Sequence, residues 1–154
     1  MPTVAEARAE LAGHISDGMA CPVCDQFAKE YRRKLTGQAA RFLVAMYRKA
    51  GAGWVYFPDL GRELNLGGGR GDEVKARFWG LIEAHPSEVK PDGSSRGGLW
   101  RLTEFGQQFV RGEARIAKYA LVYNNQCVGL DGSETVDIDQ ALGEKFDYRE
   151  LMAS

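Results

Sequence analysis

Between residues 72 and 112 the spacing of apolar side chains changes period twice. In "DEVKARFWGLIEAH" Val74, Phe78, Leu81 and Ile82 fall at i, i+4, i+7 and i+8, the stripe of a helix that buries one side, and Asp72 can cap it. "SEVK" (87–90) and "GLWRL" (98–102) then alternate, and "PDGSSRGG" between them has the composition of a hairpin loop. Helical spacing returns in "TEFGQQFVRGE", with Thr103 as N-cap and Phe105, Phe109 and Val110 as its apolar face. A hairpin set between helices places the chain in the α+β class.

The segments on either side follow the same logic. "VAEARAELAGHI" near the start reads as a short helix with Val4, Ala7 (or Arg8) and Leu11 on one side. Asp25 can cap a second helix, with Phe27, Tyr31 and Leu35 at i, i+4 and i+8 and Lys29, Arg32, Arg33 and Lys34 on its other faces. Thr36 opens a third, "TGQAARFLVAMYRKAG", whose stripe is Ala40, Leu43, Val44 and Tyr47, and Gly51 and Gly53 end it. "WVYF" (54–57) suits a brief strand or a turn into a helix, "PDLGRELN" has proline at a helix's first turn, and "LGGGRG" is a flexible turn. After the central hairpin, "AKYALVY" and "QCVGLDG" form a second one around Asn124-Asn125. "TVDIDQALGEKFDYRELM" then reads as an acidic helical segment with Ile138, Leu142 and Phe146 inward. Three parts result: an N-terminal helical segment (1–35), a central module (36–112), and a C-terminal hairpin with an acidic helical extension (113–154).

Helix, short strand, helix, turn, helix, hairpin, helix is the order of a winged helix-turn-helix. At "GGLWRLTEFGQQFV" the likeness becomes specific. A strand ending in aromatic-x-Leu-Thr, then Glu-x-Gly-x-x-Phe, resembles the junction between wing and last helix in many bacterial regulators, with Thr103 as the cap and Gly106 as the small residue that permits close packing. The longer combination of "CPVC", "EYRRKL", "KARFWGLIE", "GGLWRLTEFGQQFV" and "ALGEKFDYREL" resembles a set of bacteriophage and prophage proteins to which no agreed activity is attached. The winged-helix resemblance implies binding of double-stranded DNA through the third helix and the wing, in a regulatory role. On that plan Arg70, Lys75 and Arg77 stand at the start of the recognition helix, where side chains reach base edges. Ser94, Ser95 and Arg96 stand at the wing tip, suited to phosphate or minor-groove contact, and Arg32, Arg33 and Lys34 add phosphate contacts from the preceding helix.

Charge supports a polyanion partner once the chain is divided. Residues 26–118 carry 17 Lys and Arg against 10 Asp and Glu, +7, between an N-terminal stretch of −3 and a C-terminal one of −5, and the whole sums to −1. Solvated helix faces are the plain alternative, and Asp72 and Glu73 beside Arg70 repel phosphate unless they cap the helix. A pI near 6.1 favours a second function, an adaptor that binds a host protein on a winged-helix scaffold, and a third is a single-stranded nucleic-acid binder that uses the zinc half-site. The acidic tail would limit non-specific association or make a homodimer contact.

Cys21 and Cys24 have the spacing of half a zinc site, stiffened by Pro22. A closed structural site needs four ligands, and only Cys127, His14, His85 and aspartates such as Asp17 or Asp25 remain to complete it. Zinc is therefore a candidate cofactor with an incomplete ligand set. "LGGGRG" lacks the Gly-Lys-Ser/Thr ending of a phosphate loop, and no nucleophile stands in a motif with His14 or His85, so no enzyme is expected. No apolar run approaches the ~20 residues that cross a bilayer. The N-terminus lacks the pattern of a signal peptide, and three cysteines fit a reducing cytoplasm, that of the host cell if the chain is phage-encoded.

Overall fold

The computed structural model describes residues 3–14, 18–20, 22–23, 27–29, 31–65, 73–91, 93–123 and 126–153. Helix α1 is Val4–His14, and two short strands, β1 (Met19–Ala20) and β2 (Phe27–Ala28), pair antiparallel after it. The architecture is α+β, as its alternating periods require.

Helix α2 (Gly37–Ala50) is the centre of the molecule. The Thr36 hydroxyl accepts the N–H of Ala39 at 3.1 Å, and the Gly51 N–H closes the other end on the Tyr47 carbonyl. Ala39, Ala40, Phe42, Leu43, Val44 and Met46 are all buried, a wider stripe than a surface helix needs, because elements pack on several of its sides. Strand β4 (Val55–Tyr56) leads straight into α3 (Phe57–Glu63), with Pro58 in its first turn. After residues 66–72, a 3-10 helix (Glu73–Trp79) is followed by strand β5 (Ile82–Ala84). Strand β6 (Leu99–Leu102) lies between β4 and β5, antiparallel to both, with Trp100 opposite Val55 on one side and Ala84 on the other. The ring of Phe57 stacks on Trp100 with centroids 5.6 Å apart and meets Phe42 edge-on at 4.5 Å, which joins sheet and helices in one core.

Helix α4 (Glu104–Val110) begins as its sequence requires. The Thr103 hydroxyl accepts the N–H of Gly106 at 3.0 Å and donates to the Gly80 carbonyl at 2.6 Å. Thr103→Ala removes both bonds and is expected to lower unfolding free energy by about 1–2 kcal/mol, read as a shifted urea midpoint at unchanged slope. Phe109 and Val110 are fully buried, whereas Phe105 stays exposed.

The tail is a long hairpin of β7 (Ile116–Tyr123) and β8 (Gln126–Val136), whose turn lies outside the described residues. Helix α5 (Ile138–Leu142) starts with a capping box between Asp137 and Gln140, and α6 (Tyr148–Ala153) ends the chain. Phe146 lies between them, half-buried, rather than on a helix. Ile116, Ala120, Ile138 and Leu142 belong to the same buried cluster as the α2 stripe, so tail and central module share a core. No helix of the described residues is long and apolar enough to cross a membrane.

Three expectations are corrected. The segment from Asp25 to Leu35 is not one helix: β2 and strand β3 (Tyr31–Arg33) occupy it, and β3 pairs antiparallel with β7 through Arg32 opposite Leu121. The helical reading rested on Phe27, Tyr31 and Leu35, yet Tyr31 is 55% exposed and only Leu35 is buried among the described side chains of that trio. A cationic segment is well placed on an outer strand, where charge discourages further pairing. The expected helix over 72–84 is a 3-10 helix that stops at Trp79, since Gly80 has a φ of +72° and Ile82–Ala84 pair with β6. Its buried residues are Glu73, Ala76 and Trp79, the period of three that a 3-10 helix imposes. Last, "SEVK" is mostly turn, with a single bridge between Val89 and Ser95, so the arms of the central hairpin are 82–84 and 99–102.

Candidate nucleic-acid interface

The basic residues singled out in the sequence do not form one ridge; they go to different clefts around the 3-10 helix. Arg32 and Arg33 of β3, Lys34 after it, and Lys75 of the 3-10 helix line one cleft of about 310 Å³ with Leu35, Thr36 and Trp79. The pairing of β3 with β7 sets the first three in place. The Trp79 indole N–H donates to the Ala117 carbonyl of β7 at 2.8 Å, which ties the 3-10 helix that carries Lys75 to the same strand. None of the described residues lining this cleft is acidic.

Lys34 and Leu35 also line a neighbouring cleft of about 410 Å³, which adds Lys118 of β7 and Lys145 from the stretch between α5 and α6, together with Glu144. Sequence reading missed both lysines. Lys118 sits in a strand of otherwise uncharged residues and Lys145 in a stretch of net negative charge, and no local pattern marks either as part of a basic surface.

Two acids temper the cluster. Asp131 of β8 stands 3.5 Å from Arg32, whose guanidinium also lies over the Tyr119 ring. Hydrogen bonds from the Ser133 hydroxyl (2.7 Å) and then the Ser133 N–H (3.2 Å) hold the Asp131 carboxyl below its ordinary range, and Arg32 adds to this. The sign follows: this stabilisation is present above the unfolded carboxylate value and is lost as pH falls through the lower folded one. The stability difference between the wild type and Asp131→Asn is therefore expected to narrow as pH drops below about 4, measured by urea unfolding across the acid range. Glu134 accepts from Lys118 at 3.0 Å, and this bond raises the lysine above its usual range.

The remaining candidates lie elsewhere. Arg77 is on the other flank of the buried ridge from Lys75; its Nη1 donates to the Val74 carbonyl at 3.0 Å and its guanidinium lies over the Phe78 ring. Ser94 and Ser95 line a cleft of about 270 Å³ with the buried Glu73. The Ser95 hydroxyl accepts the Gly98 N–H at 2.9 Å and the Ser94 carbonyl accepts the Lys90 N–H, so the pair also builds the hairpin tip. Arg96 is exposed, and its N–H donates to the Glu88 carbonyl. Arg70, Cys21 and Cys24 lie outside the described residues.

For metal chemistry, the described residues contain no group of three or more His, Cys, Asp or Glu placed to hold an ion. The Cys127 thiol is directed at the Gly129 carbonyl, 3.2 Å away, and His85 Nδ1 is engaged by the Ser87 hydroxyl at 2.8 Å. No family model, curated protein or solved structure matches the chain.

Proposed function

We propose that the chain is a winged-helix protein that binds duplex DNA, gripping the phosphate backbone with Arg32, Arg33, Lys34 and Lys75. The observation that carries the reading is the convergence of these four cations, from segments some forty residues apart, on one cleft whose described lining has no acid. The order α2, β4, α3, 3-10 helix, β5, β6, α4, with β6 central in its sheet, supports the helix-turn-helix-plus-wing plan. Each phosphate neutralised releases condensed counterions, and this supplies affinity without reading sequence.

The same geometry argues for shape and backbone contact over base readout. At ~2.0 Å per residue the 3-10 helix is only about 14 Å long, and Arg77 lies folded on its neighbour Phe78. A regulatory role in the host cytoplasm is what the phage and winged-helix resemblance adds. The test is fluorescence anisotropy with a labelled random duplex of about 20 bp. Four phosphate contacts predict binding at low salt that weakens roughly a hundredfold between about 50 and 200 mM.

A second reading, the host-protein adaptor, is favoured by the net charge of −1 and by Tyr31, Val128 and Leu130 standing exposed on the outer strands β3 and β8. A duplex that leaves anisotropy unchanged at low salt removes the DNA reading in its favour.

A further inference from the structure

Among the charged residues described, only Glu73, at the start of the 3-10 helix, is buried, with 8% of its surface exposed. A carboxylate withdrawn from water is costly unless a cation or hydrogen bonds meet it. No hydrogen bond or ion pair joins Glu73 to a described residue. Its oxygens are also not among the side-chain atoms sealed from solvent without a partner. The carboxylate therefore keeps an opening, and the cleft of about 270 Å³ that it lines provides it.

The lining selects the charge of an occupant. Glu73 is the one charged side chain among the described residues around the cleft, so no cation there balances it. Phe57, Pro58, Val74 and Trp100 make apolar walls. The Ser95 hydroxyl accepts the Gly98 N–H at 2.9 Å and keeps a second lone pair for an N–H donor. An anion would meet Glu73 directly. A calcium ion takes about six to eight oxygen ligands, whereas this lining offers one carboxylate and apolar surface. Positive charge with N–H donors, carried on an apolar stem, matches every part of it.

We infer that this cleft receives the head of an organic cation, an alkylguanidinium or alkylammonium group, with Glu73 as its counter-ion and the apolar walls around its stem. A free small molecule and an arginine or lysine of a partner protein both carry such a head. The cleft shares no described lining residue with the phosphate cleft, so this inference stands or falls apart from the DNA reading.

NMR titration of the full chain with n-butylguanidinium, n-butylammonium and neutral n-butylurea tests it, followed at the Val74, Ser95 and Gly98 amides. At least one cation is expected to shift these resonances with a Kd of about a millimolar, the range open to so small a ligand, and butylurea to bind about tenfold more weakly. Glu73→Gln is expected to erase that difference and to fold at least as stably as the wild type, because it removes a buried charge that lacks a counter-ion. The comparison with butylurea uses the wild type and holds whatever the stability of the variant. Acetyl-Gly-Arg-Gly-amide and acetyl-Gly-Lys-Gly-amide identify the source. Shifts of the same amides by either peptide assign the head to a partner protein, and shifts by the butyl cations alone assign it to a small molecule. No binding of either cation at about 20 mM, equal binding of butylurea, a cation preference that survives Glu73→Gln, or the same shifts from calcium chloride or inorganic phosphate overturns the assignment.

Discussion

Replacing Arg32, Arg33, Lys34 and Lys75 together by alanine is expected to lower duplex affinity roughly a thousandfold at about 0.1 M salt. The same change should flatten the slope of log K against log salt by about 3.6, which is ~0.9 for each phosphate contact removed. Arg32, Arg33 and Lys34 are exposed and Lys75 half-buried, so unfolding free energy should change little and a fold defect cannot stand in for lost binding. The double variant Arg77→Ala with Arg96→Ala gives the contrast. Arg77 is folded against Phe78 and Arg96 is away from the cleft, so that variant should keep most of the slope. Anisotropy titrations at four salt concentrations measure both. An unchanged slope in the quadruple variant, or an equal loss in the double one, takes the phosphate grip away from this cleft.

Gly106→Ala is expected to destabilise the protein by about 2–4 kcal/mol and to lower Tm by roughly 6–12 °C, although alanine is the better helix former by ~1 kcal/mol. A Cβ at Gly106 meets the Leu81 carbonyl oxygen at 2.0 Å and Leu102 Cδ2 at 3.2 Å. The oxygen cannot retreat, because it accepts the Thr103 N–H and is held by the pairing of β5 with β6. Gly13→Ala supplies the opposite sign: among the described residues nothing outside its own helix backbone and chain neighbours lies within 4 Å of a Cβ there, so helix propensity should dominate and stabilise by up to about 1 kcal/mol. Chemical denaturation of both variants separates packing from propensity. A Gly106→Ala protein as stable as the wild type contradicts the close approach of α4 to Leu81.

The site was only partly legible in the sequence. Arg32, Arg33, Lys34 and Lys75 were identifiable as basic residues worth attention, but the surface they share was not. The expected surface joined Lys75 to Arg77 and Arg96, whereas Lys75 and Arg77 flank opposite sides of a ridge made by Glu73, Ala76 and Trp79. Lys75 instead meets the β3 cations, because β3 is paired with a strand some ninety residues later. The same pairing brings Lys118 of β7 near Lys34 in the neighbouring cleft, which Lys145 lines from the stretch between α5 and α6.

Local chemistry is what the amino-acid sequence determined by itself. Thr36 as a helix start, Thr103 as a cap, Gly51 as a helix stop, Gly106 as a close-packing position and the two strands of the second hairpin each depend on residues a few positions apart, and each is found. Tertiary structure alone decided the fate of "EYRRKL" and of the end of "DEVKARFWGLIEAH". Both have helical spacing, but their backbone groups are taken by strands distant in the chain, β7 and β6. A stripe of three or four apolar residues is worth less than a ladder of hydrogen bonds on the rim of a core, and no short window of sequence contains that competitor.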